Sequence, residues 1–194
     1  LRNFGEDSRK HTPRRVSGSE SETRICPSES VRERTDPKNP SKSFLKYSRD
    51  IDRNDTIAVH VRRGDFLKPT SGRVVQDAEY FIQAIRKLIR EQDLSNPSII
   101  VFSDDVAWCK EYLATIDAHA ITIFEDALIS DIEQMFLMSL PKYIVIANST
   151  FSWWAAFLNR HQDKVVIAPT QWYTDDRLNE AVTMDLIHPT WSVL

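Results

Sequence analysis

The sequence predicts an α/β fold built on a parallel β-sheet with helices on both faces. Two observations predict it. From Asp55 onward, β-rich runs of about five apolar residues alternate with longer segments, the pattern of strands buried between crossover helices. The intervening segments carry apolar residues at helical spacing, most clearly Phe81, Ile85, Leu88 and Ile89 in "DAEYFIQAIRKLIREQDL".

The elements follow in chain order. Residues 1–50 are rich in Ser, Arg, Glu, Lys and Pro, with sparse apolar residues and no period. Such a segment buries too little surface to offset its ordering entropy, so it is expected to be disordered or loosely attached. Its basic clusters read as a solvated tail. "TIAVHV" (56–61) is the first strand, and residues 77–94 form an amphipathic helix. "SIIVFS" (98–103) is the second strand, and Asp104 is placed to cap the helix within "DVAWCKEYLATI". "AITIF" (120–124) is the third strand, and "DIEQMFLMSL" (131–140) is a helix stopped by Pro141. "YIVIA" (143–147), a helix in "SWWAAFLNR" and "KVVIA" (164–168) ended by Pro169 complete the alternation. Beyond them "WYTDDRLNEAVTMDLIHPTWSVL" is less regular. The class is Rossmann-like, with residues 55–194 as one domain.

Composition agrees with one domain and excludes several functions. The chain has 194 residues, 41% of them hydrophobic, enough for a core. A net charge of −3 gives no broad nucleic-acid footprint. No apolar run reaches the roughly 18 residues of a transmembrane helix, and the start does not read as a signal peptide. The two cysteines, Cys26 and Cys109, lack metal-ligand spacing, and Cys109 reads as a small buried residue. The chain begins with Leu rather than Met, so it reads as a fragment or an N-terminally divergent protein.

In sheets of this class, ligands bind beyond the carboxyl ends of the strands. The residues there are His60-Val61-Arg62-Arg63-Gly64-Asp65, Ser103-Asp104-Asp105, Glu125-Asp126 and Asn148-Ser149-Thr150-Phe151-Ser152. One sheet end thus collects two arginines, several carboxylates and a hydroxyl-rich helix start. A helix N-terminus carries unpaired N–H groups and partial positive charge. Ser149, Thr150 and Ser152 would add hydroxyl donors, and Arg62 or Arg63 a bidentate contact, so the arrangement suits a phosphate or diphosphate. The plainer alternative is that Ser149 or Ser152 only caps the helix. Asp104 reads as a helix cap or a polar ligand contact rather than a metal ligand. At least one of Trp153 and Trp154 is expected in the core. With four glycines in all, neither G-x-G-x-x-G nor a P-loop occurs, which argues against a usual NAD enzyme or P-loop NTPase. No metal-ligand cluster is evident, and none is expected.

"HVRRGDF", "VFSDDVAWCKEYL", "MFLMSLPKYIVIANSTFSWWAAFLN" and "KVVIAPTQWY" occur in that order over residues 56–173. Together they resemble the family 11 glycosyltransferases, the α-1,2-fucosyltransferases. The resemblance implies the donor-binding domain of a two-domain GT-B architecture, with GDP-fucose as donor, inversion at the sugar carbon and no required metal or cofactor. It implies that Arg62 holds the β-phosphate and stabilises departing GDP, that Arg63 supports the same site, and that His60 helps hold the nucleotide. The Asn148–Ser152 segment would line the diphosphate side. Asp65 is either the base for the acceptor hydroxyl or an ion-pair partner orienting an arginine, the second being favoured. Gln134 stands where the family often has an Asp that contacts guanine, and Pro141 where it usually has Cys. The family's Gly-rich N-terminal half, the acceptor side, is not matched by residues 1–50.

The expected partners are a nucleotide-sugar donor and a galactoside or oligosaccharide acceptor, with no nucleic acid and no membrane segment in this chain. The compartment is left open: cytoplasmic or membrane-associated for a bacterial protein, Golgi-lumenal for a eukaryotic one. The competing reading is a non-catalytic nucleotide-sugar-binding module, or an inactive fragment lacking its acceptor domain.

Overall fold

The computed structural model describes residues 37–51, 55–114, 116, 118 and 120–194. Its centre is a six-stranded, wholly parallel sheet. The strands are β1 (Thr56–Val61), β2 (Ser98–Ser103), β3 (Ala120–Ile123), β4 (Tyr143–Val145), β5 (Val165–Ala168) and β6 (Ser192–Val193). The helices are α1 (Lys42–Asp50), α2 (Ala78–Glu91), α3 (Val106–Tyr112), α4 (Asp131–Met138), α5 (Thr150–Leu158) and α6 (Asp176–Leu186).

The sheet order is β3-β2-β1-β4-β5-β6. The chain walks outward from β1 to β3, then returns to the other side of β1 with β4. The order therefore reverses between β1 and β4, and their carboxyl ends part around a crevice. Register fixes that junction: Ile57 pairs with Tyr143, Ala58 with Ile144 and Val59 with Val145.

Strand β1 is buried along its whole length, as a central strand covered on both faces must be. Its odd positions, Ile57, Val59 and Val61, pack with Phe81, Ala84, Ile85 and Leu88 of α2 and Cys109 of α3. Ala58, with Ile144 and Ile146, packs on the opposite face with Leu137, Met138, Ala155, Ala156 and Trp172. Helix α2 starts where Asp77 accepts the Tyr80 N–H at 2.9 Å, and its buried stripe runs at i, i+3, i+4, i+7. The Tyr80 hydroxyl donates to Ile146 O at 2.7 Å, tying α2 to the end of β4.

Several sequence expectations are corrected. Residues 42–50, assigned to the unstructured leader, form α1. The helix holds because Ser41 caps it, and because Glu133 accepts the Ser41 N–H at 2.6 Å while Phe44 and Tyr47 pack on the core. Composition could not show a helix stabilised by an element ninety residues away in sequence. The rest of the leader's expected disorder, residues 1–36, lies outside the described residues, as does Cys26. The irregular tail contains α6 and the sixth strand, β6, which bonds to Ala168. Asp104 does not cap α3: Asp105 does, accepting the Trp108 N–H at 3.1 Å. Helix α5 begins two residues earlier than read, with Ser149 as its cap. Of the two tryptophans, Trp153 packs partly inward, stacked on Phe157, and Trp154 is 45% exposed. Cys109 is buried as expected, and burial pushes its thiol pKa up. Among the described residues, no helix is long and apolar enough to cross a membrane.

Candidate functional site

At the junction between β1 and β4 the structure opens a cavity of about 440 Å³, within the range of small-ligand sites. It is built from the ends of three strands. Strand β1 delivers His60 and the following Arg62 and Asp65; β2 delivers Phe102, Ser103 and Asp104; β4 delivers Asn148 and the start of α5.

Arg62 is held in a carboxylate clamp. Its Nε and Nη2 donate to Asp65 Oδ1 at 3.0 and 2.7 Å, and Nη1 lies 3.1 Å from Asp104 Oδ2. Asp104 is itself fixed, because its Oδ1 accepts the Arg63 N–H at 2.9 Å. Gly64 makes this possible: a Cβ there would lie 2.5 Å from Asp104 Oδ2. The glycine of "RRGD" therefore permits the close approach of a second carboxylate.

Arg63 does not join the cavity. Its guanidinium lies 4.2 Å over the Trp108 ring, and Nε donates to Asp105 at 3.1 Å. Adjacent residues leaving a strand point to opposite sides, so the pair of arginines divides between the crevice and α3. Glu125 and Asp126 also stay outside, the first paired with Lys110 and the second accepting the Leu128 N–H.

His60 is 5% exposed, tilted against Phe151 at 5.1 Å, and its Nδ1 has no partner. Burial, and then the charge of Arg62, lower its pKa to about 3, so the imidazole is neutral near pH 7.

The start of α5 divides in two. Ser149, Thr150 and Phe151 line the cavity, and Ser149 accepts the Phe151 N–H. Ser152 does not: it is fully buried and turns back to donate to Ala147 O and Ser149 O. Asn148 is fully buried, and its Nδ2 donates at 2.8 Å to both Val74 O and Trp172 O. Its Oδ1 has no partner. Gln134 lines the opposite wall from α4, its Nε2 donating to Ile129 O at 3.4 Å.

Four lining residues escape the sequence reading: Phe66, Arg73, Phe102 and Asp131. Phe66 follows the "RRGD" motif directly, and Asp131 precedes Gln134 by one helical turn, so both carried a local signal. Arg73 carried none, because a loop and a contact with Tyr173 bring it in. Among the described residues, no group of three or more His, Cys, Asp or Glu could hold a metal ion.

What this geometry can do is bind an anion at a strand-end crevice beside a guanidinium and a helix start, and known proteins share its sequence. The profile described as Glycosyl transferase family 11 matches residues 31–194. An Escherichia coli alpha-1,2-colitosyltransferase is 34% identical over 155 residues, 78% of this chain and 52% of that protein. The Escherichia coli O-antigen biosynthesis glycosyltransferase WbnK is 37% identical over 134 residues, 68% of this chain and 43% of that protein. The human galactoside alpha-(1,2)-fucosyltransferase 1 is 30% identical over 118 residues, 59% of this chain and 32% of that protein. The chain thus spans about half the length of the first two relatives. With a parallel sheet opening at its switch point and the family's profile running from residue 31 to residue 194, the chain belongs to glycosyltransferase family 11.

Proposed function

We propose that the cavity holds the diphosphate of GDP-fucose and that the protein transfers L-fucose, with inversion, to a galactoside hydroxyl in α-1,2 linkage. The observation that carries this reading is the convergence of Arg62 and the N-terminus of α5 on one crevice between β1 and β4. As the acceptor hydroxyl bonds to the sugar carbon and releases its proton to solvent, the bond to the diphosphate breaks and negative charge grows on the leaving group. A fixed guanidinium and helix-terminal N–H groups stabilise that charge as it develops.

Asp65 serves this step as a positioning residue, since one of its oxygens already accepts two N–H groups from Arg62. Neutral His60 adds no charge and packs the nucleotide side of the crevice. Guanine offers N1–H and amino donors, and the acceptors along the α4 wall are the Gln134 amide oxygen and the Asp131 carboxylate. Half of the relatives' length lies outside the match, and acceptor contacts are assigned there.

One observation favours a second donor sugar. A relative that covers 78% of this chain is named for colitosyl transfer, so the same diphosphate site would serve a GDP-linked colitose.

The test is calorimetric titration with GDP, GDP-fucose and ADP, with and without EDTA. GDP binding in preference to ADP, unaffected by EDTA, is the expected result. Equal affinity for ADP would sink the guanine reading. Arg62→Ala in a form active for transfer should lower kcat by about a hundredfold or more, and unchanged turnover would remove the leaving-group role.

A further inference from the structure

We propose that Arg73, on the loop between β1 and α2, is the second cationic hold on the donor, binding one phosphate of the diphosphate while Arg62 binds the other. The inference rests on the diphosphate reading of the cavity above.

Charge makes the case first. The cavity is lined by two cations, Arg62 and Arg73, and three carboxylates, Asp65, Asp104 and Asp131, with His60 neutral. A diphosphate entering this wall meets more negative than positive side chains. Arg62 is already clamped by Asp65 and Asp104. Arg73 makes no ion pair among the described residues. Its guanidinium carbon lies 4.3 Å from the Tyr173 ring centroid and 5.8 Å from that of Phe66. A guanidinium stacked on an aromatic face keeps its edge, where the N–H donors lie, open to an oxyanion.

Geometry supports the pairing. The same Phe66 ring lies 5.8 Å from the guanidinium carbon of Arg62, so one aromatic ring spaces the two cations. Arg73 is also held in place. Gly72, at φ +64°, turns the chain, and Arg73 then bridges antiparallel to Tyr173. Hydrogen bonds on either side, Thr174 N–H to Gly72 O at 3.1 Å and Val74 N–H to Trp172 O at 3.3 Å, close the ladder. The buried Asn148 amide clamps both strands of that ladder through Val74 O and Trp172 O. Asn148 directly precedes the cap of α5, so the clamp ties the Arg73 loop to the helix start. Two buried polar atoms at this cavity, His60 Nδ1 and Asn148 Oδ1, have no partner within the protein, as expected where a polar ligand completes the site.

The experiment titrates inorganic pyrophosphate, GDP, ADP and guanosine into the whole chain and into Arg73→Gln and Arg73→Met. The Met variant keeps an apolar chain between the two rings, and far-UV circular dichroism melts confirm folding. Loss of one charge-assisted contact should weaken pyrophosphate and GDP about tenfold or more and leave guanosine unchanged. Arg73→Lys, which keeps the charge but not the fork, should fall between. A folded charge-removing variant that binds pyrophosphate and GDP as tightly as the parent overturns the proposal, as does a parent that binds neither. A parent that binds pyrophosphate but does not prefer GDP to ADP defeats the guanine reading alone, and the Arg73 comparison on pyrophosphate still stands.

Discussion

His60 and Gly64 show how single residues of one motif carry different duties. The His60 pKa of about 3 lies below the ordinary value of 6.5. Between those values the unfolded chain takes up a proton that the folded chain refuses. The stabilisation is therefore fully present above pH 6.5 and is lost as pH falls toward about 3, at up to about 1.4 kcal/mol per unit. Urea unfolding between pH 7 and pH 4 should show it, and His60→Asn should flatten that dependence; an unchanged slope would assign it to other groups. Gly64 is a steric case. In Gly64→Ala the new methyl would meet a carboxylate held by Arg62 and by the Arg63 N–H. The variant is expected to lose about 1–3 kcal/mol and to bind GDP more weakly, as read by denaturation and calorimetry.

At the scale of elements, one side chain joins two helices. Glu133 closes a capping box with Ser130 at the start of α4, and its other oxygen accepts the N–H of Ser41, the cap of α1. The Ser41 N–H, more than the Ser130 contacts, holds its carboxyl below the usual carboxylate range. Glu133→Ala should cost about 1–2 kcal/mol and free α1, which limited proteolysis would detect as faster cleavage near residues 37–51. Equal cleavage rates would mean that Phe44 and Tyr47 alone hold the helix.

Across the whole molecule, the function-bearing crevice depends on three segments meeting where the sheet order reverses. Asn148 is the pin. Its amide bonds the loop after β1 to the loop after β5 from a fully buried position at the end of β4. Asn148→Ala would strand the Val74 carbonyl and leave Trp172 O with only the Val74 N–H, so a loss of about 1–3 kcal/mol is expected in urea titration, together with weaker nucleotide binding. Retained stability with lost binding would instead make Asn148 a direct ligand contact.

By itself the sequence determined the α/β class, the central strands and α2, because hydrophobic period is a local property that burial then obeys. It also marked Arg62, Asp65, Asp104, Gln134 and the Asn148–Phe151 segment, which the structure does gather at one cavity. Tertiary structure alone decided which neighbours in a motif face that cavity. Arg63 turns to Trp108 and Ser152 to Ala147 O because strand alternation and helix start geometry assign them the other side. Tertiary structure also ordered α1 through Glu133, added β6 beside β5, and brought in Arg73 against Tyr173, a residue one hundred positions away. Such contacts have no period and no local propensity, so they become visible only when the sheet closes its register and the loops are seen side by side.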